Sequence, residues 1–118
     1  MNSKGICVAG NMIVDILYPV SGLPKPGELT SIQEGISRTT GGAVCNGIGD
    51  LALMDPVLPL TALGRVGNDA EGEFVLESLR RHKNVDLSMI RNEGKTSFTA
   101  VMSDTITRER TFFHYRGK

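Results

Sequence analysis

Cysteine is scarce in this sequence, and what is missing around it removes two function classes. Only Cys7 and Cys45 are present, in no C-x-x-C pair and with no histidine at ligand spacing, so neither a disulfide framework nor a zinc site has a foundation. Net charge is absent too, because 13 Lys and Arg residues balance 13 Asp and Glu. No dense basic run tracks a phosphate backbone, and nucleic acid is not an expected partner. Long hydrophobic runs are lacking: the apolar stretch within Met1 to Ala9 is far below signal-peptide or membrane-span length, so no membrane partner and a cytoplasmic location are expected. There is no internal repeat and no low-complexity tract.

What remains is globular in composition, with 40% hydrophobic and 22% charged residues, and 118 residues suit one compact domain. Lys4 to Ala9 is a short apolar run that suits a buried strand, followed by a tight turn at Gly10-Asn11. A second β-branched, apolar run covers Met12 to Tyr18, and Pro19 to Gly27 then breaks regular structure. Leu29 to Ile36 alternates, which predicts a half-exposed strand. Val44, Ile48, Leu51 and Ala52 fall at helical spacing, predicting a helix over 43–54 that stops before Pro56. Val57 to Gly64 reads as a core strand. Asn68-Asp69 then caps a second helix through Phe74, Val75 and Leu79. Arg80-Arg81-His82-Lys83 places cations at the negative end of that helix dipole. Ser97 to Ser103 and Arg110 to His114 predict a hairpin across the polar stretch Asp104 to Glu109. Strand alternating with helix argues for an α/β layer with a largely parallel sheet, although so few elements leave one of its faces poorly covered. The hairpin at the end of the chain suggests a partial chain.

Three features carry chemistry. Gly41-Gly42-Ala43-Val44-Cys45-Asn46 runs two glycines into a helix with an amide about one turn in; the glycines either admit a ligand close to backbone N–H groups or serve a tight loop. It is not a phosphate-binding P-loop, because no Lys-Ser/Thr follows. Asp15, alone in an apolar strand, is either aimed into a polar cleft, where a carboxylate accepts hydrogen bonds from adjacent sugar hydroxyls, or faces solvent. Asp69 and Glu71 invite a metal reading, but acidic residues in a first helical turn are favoured by the dipole whatever the function. His82 and His114 have no paired nucleophile in a recognisable setting and receive no catalytic role.

Taken in order, Gly10 through Asp15, the Gly41-Gly42 pair with Asn46, and Leu63-Gly64-Arg65-Val66-Gly67-Asn68-Asp69 with Gly72 resemble the motifs of the PfkB, or ribokinase-like, carbohydrate kinases over nearly the whole chain. The resemblance implies an α/β ribokinase-like fold, with residues 1–118 as the N-terminal part of the kinase domain and lid strands over about 12–38 and 96–115. It places sugar binding on Asp15, Gly41, Gly42 and Asn46. The ending Phe113-His114-Tyr115-Arg116 resembles lid residues that touch substrate in some members, so Arg116 is a candidate partner for the carboxylate of an acidic sugar. The intact kinase would use ATP and Mg²⁺; the D-T-x-G-A-G-D motif that supplies the catalytic Asp and a phosphate-binding helix N-terminus does not occur in this sequence. No catalytic, cofactor-binding or metal-binding residue is therefore expected here, nor turnover by the chain alone. Two alternatives stay open: a nucleoside kinase of the same superfamily, and a non-catalytic sugar-binding module that dimerises through its lid strands.

Overall fold

A computed structural model describes residues 5–117. The chain runs β1 (Ile6–Ala9), β2 (Ile13–Val20), β3 (Ser37–Gly41), α1 (Gly42–Met54), β4 (Leu60–Val66), α2 (Ala70–Arg80), β5 (Val85–Asp86), β6 (Ile90–Asn92), β7 (Ser97–Asp104) and β8 (Arg110–Tyr115). Two sheets result. In the first, β4 pairs in parallel with β1, β5 and β6. In the second the order is β3-β2-β7-β8; the pairing of β2 with β7 is parallel, and both outer pairings are antiparallel.

The core explains why α1 and α2 form where they do. Val44, Ile48 and Ala52 recur on one stripe of α1, and Val75, Leu76 and Leu79 on one stripe of α2; all are buried against Leu60, Ala62 and Val66 of β4 and against Val14 and Ile16 of β2. Each such aliphatic side chain is worth about 1.5–3 kcal/mol when taken fully out of water. Because β2 contributes alternate residues to this core, its other face, carrying Ile13, Asp15 and Leu17, is turned away from it. Among the described residues no helix is long and apolar enough to cross a membrane.

Several expectations shift. The alternation over Leu29 to Ile36 does not make a strand: only Ile32 forms a bridge, to Val20, and Leu29 is 89% exposed. Neither of its two faces is consistently apolar, so nothing draws it onto a core, and Gly35 adopts φ 101°. The strand forms instead at Ser37–Gly41, which has no apolar period and is held by its ladder to β2. Pro19 lies inside β2 rather than ending it; β3 stops opposite Leu17, and on that side the Pro19 carbonyl accepts from the Gln33 N–H while no continuous ladder needs an N–H from the proline. The strand expected over Val57 to Gly64 begins at Leu60, because Asp55 Oδ1 accepts the Val57 N–H and turns the chain first. The strand expected from Lys4 begins at Ile6, with Lys4 itself outside the described residues.

Candidate functional site

The site grows from the outward face of β2. Asp15 stands directly opposite Thr39 of β3 and Thr99 of β7, and Thr99 is in turn opposite His114 of β8, so one row of polar side chains crosses the sheet. Thr99 Oγ1 and His114 Nδ1 lie 2.9 Å apart in a hydrogen bond. The Asp15 carboxylate also lies against Gly41: a Cβ added to that buried glycine would sit 3.1 Å from Asp15 Oδ2. Asp15 and the glycine pair, separated in sequence, are thus neighbours in space.

Gly42 is there for a backbone reason. Its φ is +89°, and a Cβ would come within 2.6 Å of the Asn11 carbonyl oxygen. That close approach lets Asn11 cap α1 from a distance: its side-chain Oδ1 accepts the Ala43 N–H at 3.0 Å and its carbonyl accepts the Val44 N–H at 3.3 Å. Asn46 lies one turn further along α1 and is exposed. Beside the helix start, Cys45 is buried, and burial pushes its thiol up to about 11 despite opposing hydrogen bonds with the Ile13 backbone and the Thr40 side chain.

Arg116 follows β8 and lines a cavity of about 270 Å³ with Gly10, Asn11, Arg65, Ser97 and Gly117. Ser97 is opposite Ile13 and Thr99 opposite Asp15, so this cavity adjoins the face that carries the carboxylate. The structure therefore brings Asp15, Gly41 and Gly42 together and puts Arg116 beside the Asn11 turn. Among the described residues the Asn46 side chain makes no hydrogen bond to them.

The glycine-spaced segment after β4 is a structural knot. Asp69 caps α2, with Oδ1 accepting from the Gly72 N–H at 2.8 Å and from the Thr96 hydroxyl at 2.5 Å, while Oδ2 accepts the Thr96 N–H at 2.9 Å. Partial burial pushes its pKa up, but those bonds outweigh it and hold the carboxyl below its usual value. Among the described residues no three His, Cys, Asp or Glu side chains group in a way that could hold a metal ion. Both helix N-termini are capped by the chain's own oxygens, from Asn11 at α1 and from Asp69 at α2.

Sequence reasoning missed Asn11, Thr96, Thr99 and the contacts of Arg65. For Thr99 a signal existed, since the two-residue period of β7 puts it on a polar face; for Asn11 none did, because its partner is 32 residues away.

The fold is shared with solved kinases. The structure of Arabidopsis thaliana ribokinase complexed with ribose and ATP superposes with a TM-score of 0.81 at 26% identity, covering 98% of this chain and 37% of that one. Fructokinase from Xylella fastidiosa gives 0.67 at 27% identity, over 97% of this chain and 34% of that one. A nucleoside kinase from Methanocaldococcus jannaschii gives 0.77 at 18% identity, covering 98% and 38% respectively, a likeness of fold alone. This chain thus spans little more than a third of the length of those kinases. No curated protein matches it. The pfkB family carbohydrate kinase model matches residues 3–118, taking in the Asp15 strand, the glycine pair and the Asp69 knot alike, and the chain belongs to that family.

Proposed function

We propose that the chain forms the sugar-binding side of an ATP-dependent kinase that phosphorylates a sugar hydroxyl. The observation that carries this reading is the Asp15 carboxylate set against Gly41 in a row with Thr39 and Thr99. A carboxylate is an acceptor with two oxygens, suited to two adjacent hydroxyls, and Gly41, having no side chain, keeps the space against that carboxylate free. The exposed Asn46, one turn into α1, would offer an amide donor from outside the Asp15 row, and Arg116 a planar fork for a carboxylate should the sugar be acidic. Phosphoryl transfer needs positioning and charge neutralisation around the transferring group, and these residues supply positioning of the acceptor. ATP and Mg²⁺ would be held by residues other than those described, and no transfer step is assigned to this chain's own side chains.

The test is titration calorimetry of neutral and acidic sugars and of nucleosides, comparing the unmodified chain with Asp15→Ala. Binding of a sugar that weakens by roughly 10- to 100-fold in the variant, as expected for loss of charge-assisted hydrogen bonds, supports the reading. A nucleoside bound in preference would make this a nucleoside kinase. Binding of neither sugar nor nucleoside would overturn both.

A second reading concerns assembly. We propose that the β3-β2-β7-β8 sheet acts as a lid and pairs with its copy to form a homodimer. This rests on Phe112 and Phe113, 62% and 60% exposed on β8, the terminal strand of its sheet.

A further inference from the structure

The segments that enter and leave the β7–β8 hairpin converge on one side chain. Arg65, near the end of β4, donates from Nη1 to the Glu93 carbonyl at 2.8 Å and, at 3.4 Å, to the Lys95 carbonyl. From Nη2 it donates to the Gly117 carbonyl at 3.0 Å. Glu93 to Thr96 carries the chain from β6 into β7, and Gly117 follows β8. A guanidinium rooted in the strand that all other strands of the parallel sheet join therefore grips both ends of the hairpin. The one other strand connection between the two sheets before α1, the turn at Gly10-Asn11, lines the same cavity as Arg65.

The grip is not redundant at both ends. Thr96 is also held by Asp69 and by the Gly67 N–H. Gly117 packs on the Lys95 backbone and donates its N–H to Ser97 Oγ, both on the incoming side of the hairpin, and among the described residues its hydrogen bond to the parallel sheet is the one from Arg65. Arg65 thus ties the outgoing end to the parallel sheet at Gly117, next in sequence to Arg116.

We infer that Arg65 is a positioning residue: its fork sets how the β7–β8 hairpin stands on the parallel sheet and thereby holds Arg116 at the cavity beside Asn11. A lysine at the same place keeps the charge but is a point donor on a flexible stem and cannot hold carbonyls from two separate segments in a fixed plane. The consequence for ligands rests on the sugar-kinase reading above; the mechanical part does not.

Arg65→Lys separates the two. Amide hydrogen exchange is expected to rise about tenfold or more over residues 93–97 and 112–117, with α1 and β4 protected as before. No change in those two segments, or an equal rise everywhere, would overturn the inference. Should the variant not fold, exchange of the unmodified protein in low urea decides it: the two segments opening together, below the free energy at which α1 opens, supports a shared anchor, and independent opening removes it. In binding, the preference for an acidic over a neutral sugar is expected to fall in Arg65→Lys, and an undiminished preference despite loosened segments would overturn the positioning role. If the unmodified chain binds no sugar at all, the kinase reading fails while the exchange result still stands for Arg65.

Discussion

Asp69 shows how a residue that invites a functional reading is used by the fold. Its two carboxylate oxygens accept three hydrogen bonds that join the start of α2 to the entry of β7, across 27 residues of sequence. Replacing it by alanine removes a helix cap and leaves the Thr96 donors to find water, a loss of about 1–3 kcal/mol. The urea midpoint should fall with little change in slope. Because the folded carboxyl is held below its ordinary value of 3.8, its contribution is fully present above that pH and is lost as the pH falls below it. Asp69→Ala should therefore differ most from the unmodified protein near neutrality, and the gap should close in acid; an equal gap at pH 7 and at pH 2.5 would refute the assignment.

The two cysteines, alike in the sequence, separate in the structure. Cys7 is exposed on β1 and Cys45 is buried with its thiol raised from 9.0 to about 11. A disulfide reagent at pH 8 should modify one thiol rapidly and the second only once urea unfolds the chain, since the thiolate is the reactive form. The sign of the pH effect follows: the folded state holds the Cys45 proton more tightly, so stability is unaffected below pH 9 and declines as the pH rises from 9 towards 11. Two equally fast thiols in the folded protein would contradict this.

Among the elements, those with a strong apolar period were legible and those held by ladder alone were not. The helix expected over 43–54 is α1, and the second helix and its Asp69 cap are where the pattern puts them, because their stripes of buried residues are local to the sequence. The hairpin of β7 and β8 was equally plain, with Asp104 starting its turn by accepting the Ile106 and Thr107 N–H groups. By contrast, β3 is polar throughout, and β5 and β6 are too short to show a period. Their existence depends on partners far away in the chain. The candidate site divides the same way: Asp15 and the glycine pair stand out in the sequence, while the row that aligns Asp15 with Thr39, Thr99 and His114 exists only through strand register.

The cap on α1 offers a test at this scale, because it comes from an element the helix does not adjoin in sequence. Asn11→Ala should cost about 0.5–2 kcal/mol by losing the bond to the Ala43 N–H. Gly42→Ala should cost more, since it forces a side chain into φ +89° against the Asn11 carbonyl. Denaturation midpoints in that order would establish that the turn and the glycine pair act as one joint, and a Gly42→Ala variant as stable as the unmodified protein would rule it out.

Seen whole, the molecule is extended rather than round. Its radius of gyration is 16.8 Å and its extents are 62 × 30 × 18 Å, whereas a compact chain of this length is expected near ~13.5 Å. The β3-β2-β7-β8 sheet packs β2 on the core yet leaves apolar side chains of β8 and of the loop after β2 exposed. A groove of about 440 Å³ on it is lined by Val20 of β2, Leu23 and Ile32 of the segment after β2, Met102 of β7 and Phe113 of β8. Leu23 and Ile32 are about half exposed, at 47% and 48%, and Phe113 is 60% exposed, so apolar side chains converge here without being covered. Surface of this kind, next to a terminal strand with free ladder groups, favours self-association over a solvated monomer. Sedimentation of the unmodified chain should give twice the monomer mass, and Phe113→Lys, which places a charge both in the groove and on the edge strand, should return it to monomer with its circular dichroism unchanged. A monomeric mass for the unmodified chain at every concentration up to its solubility limit would remove the homodimer reading while leaving the Asp15 site untouched, because the groove and Phe113 lie on the opposite face of the sheet from the Asp15 row, whose face Phe112 alone of the two phenylalanines shares.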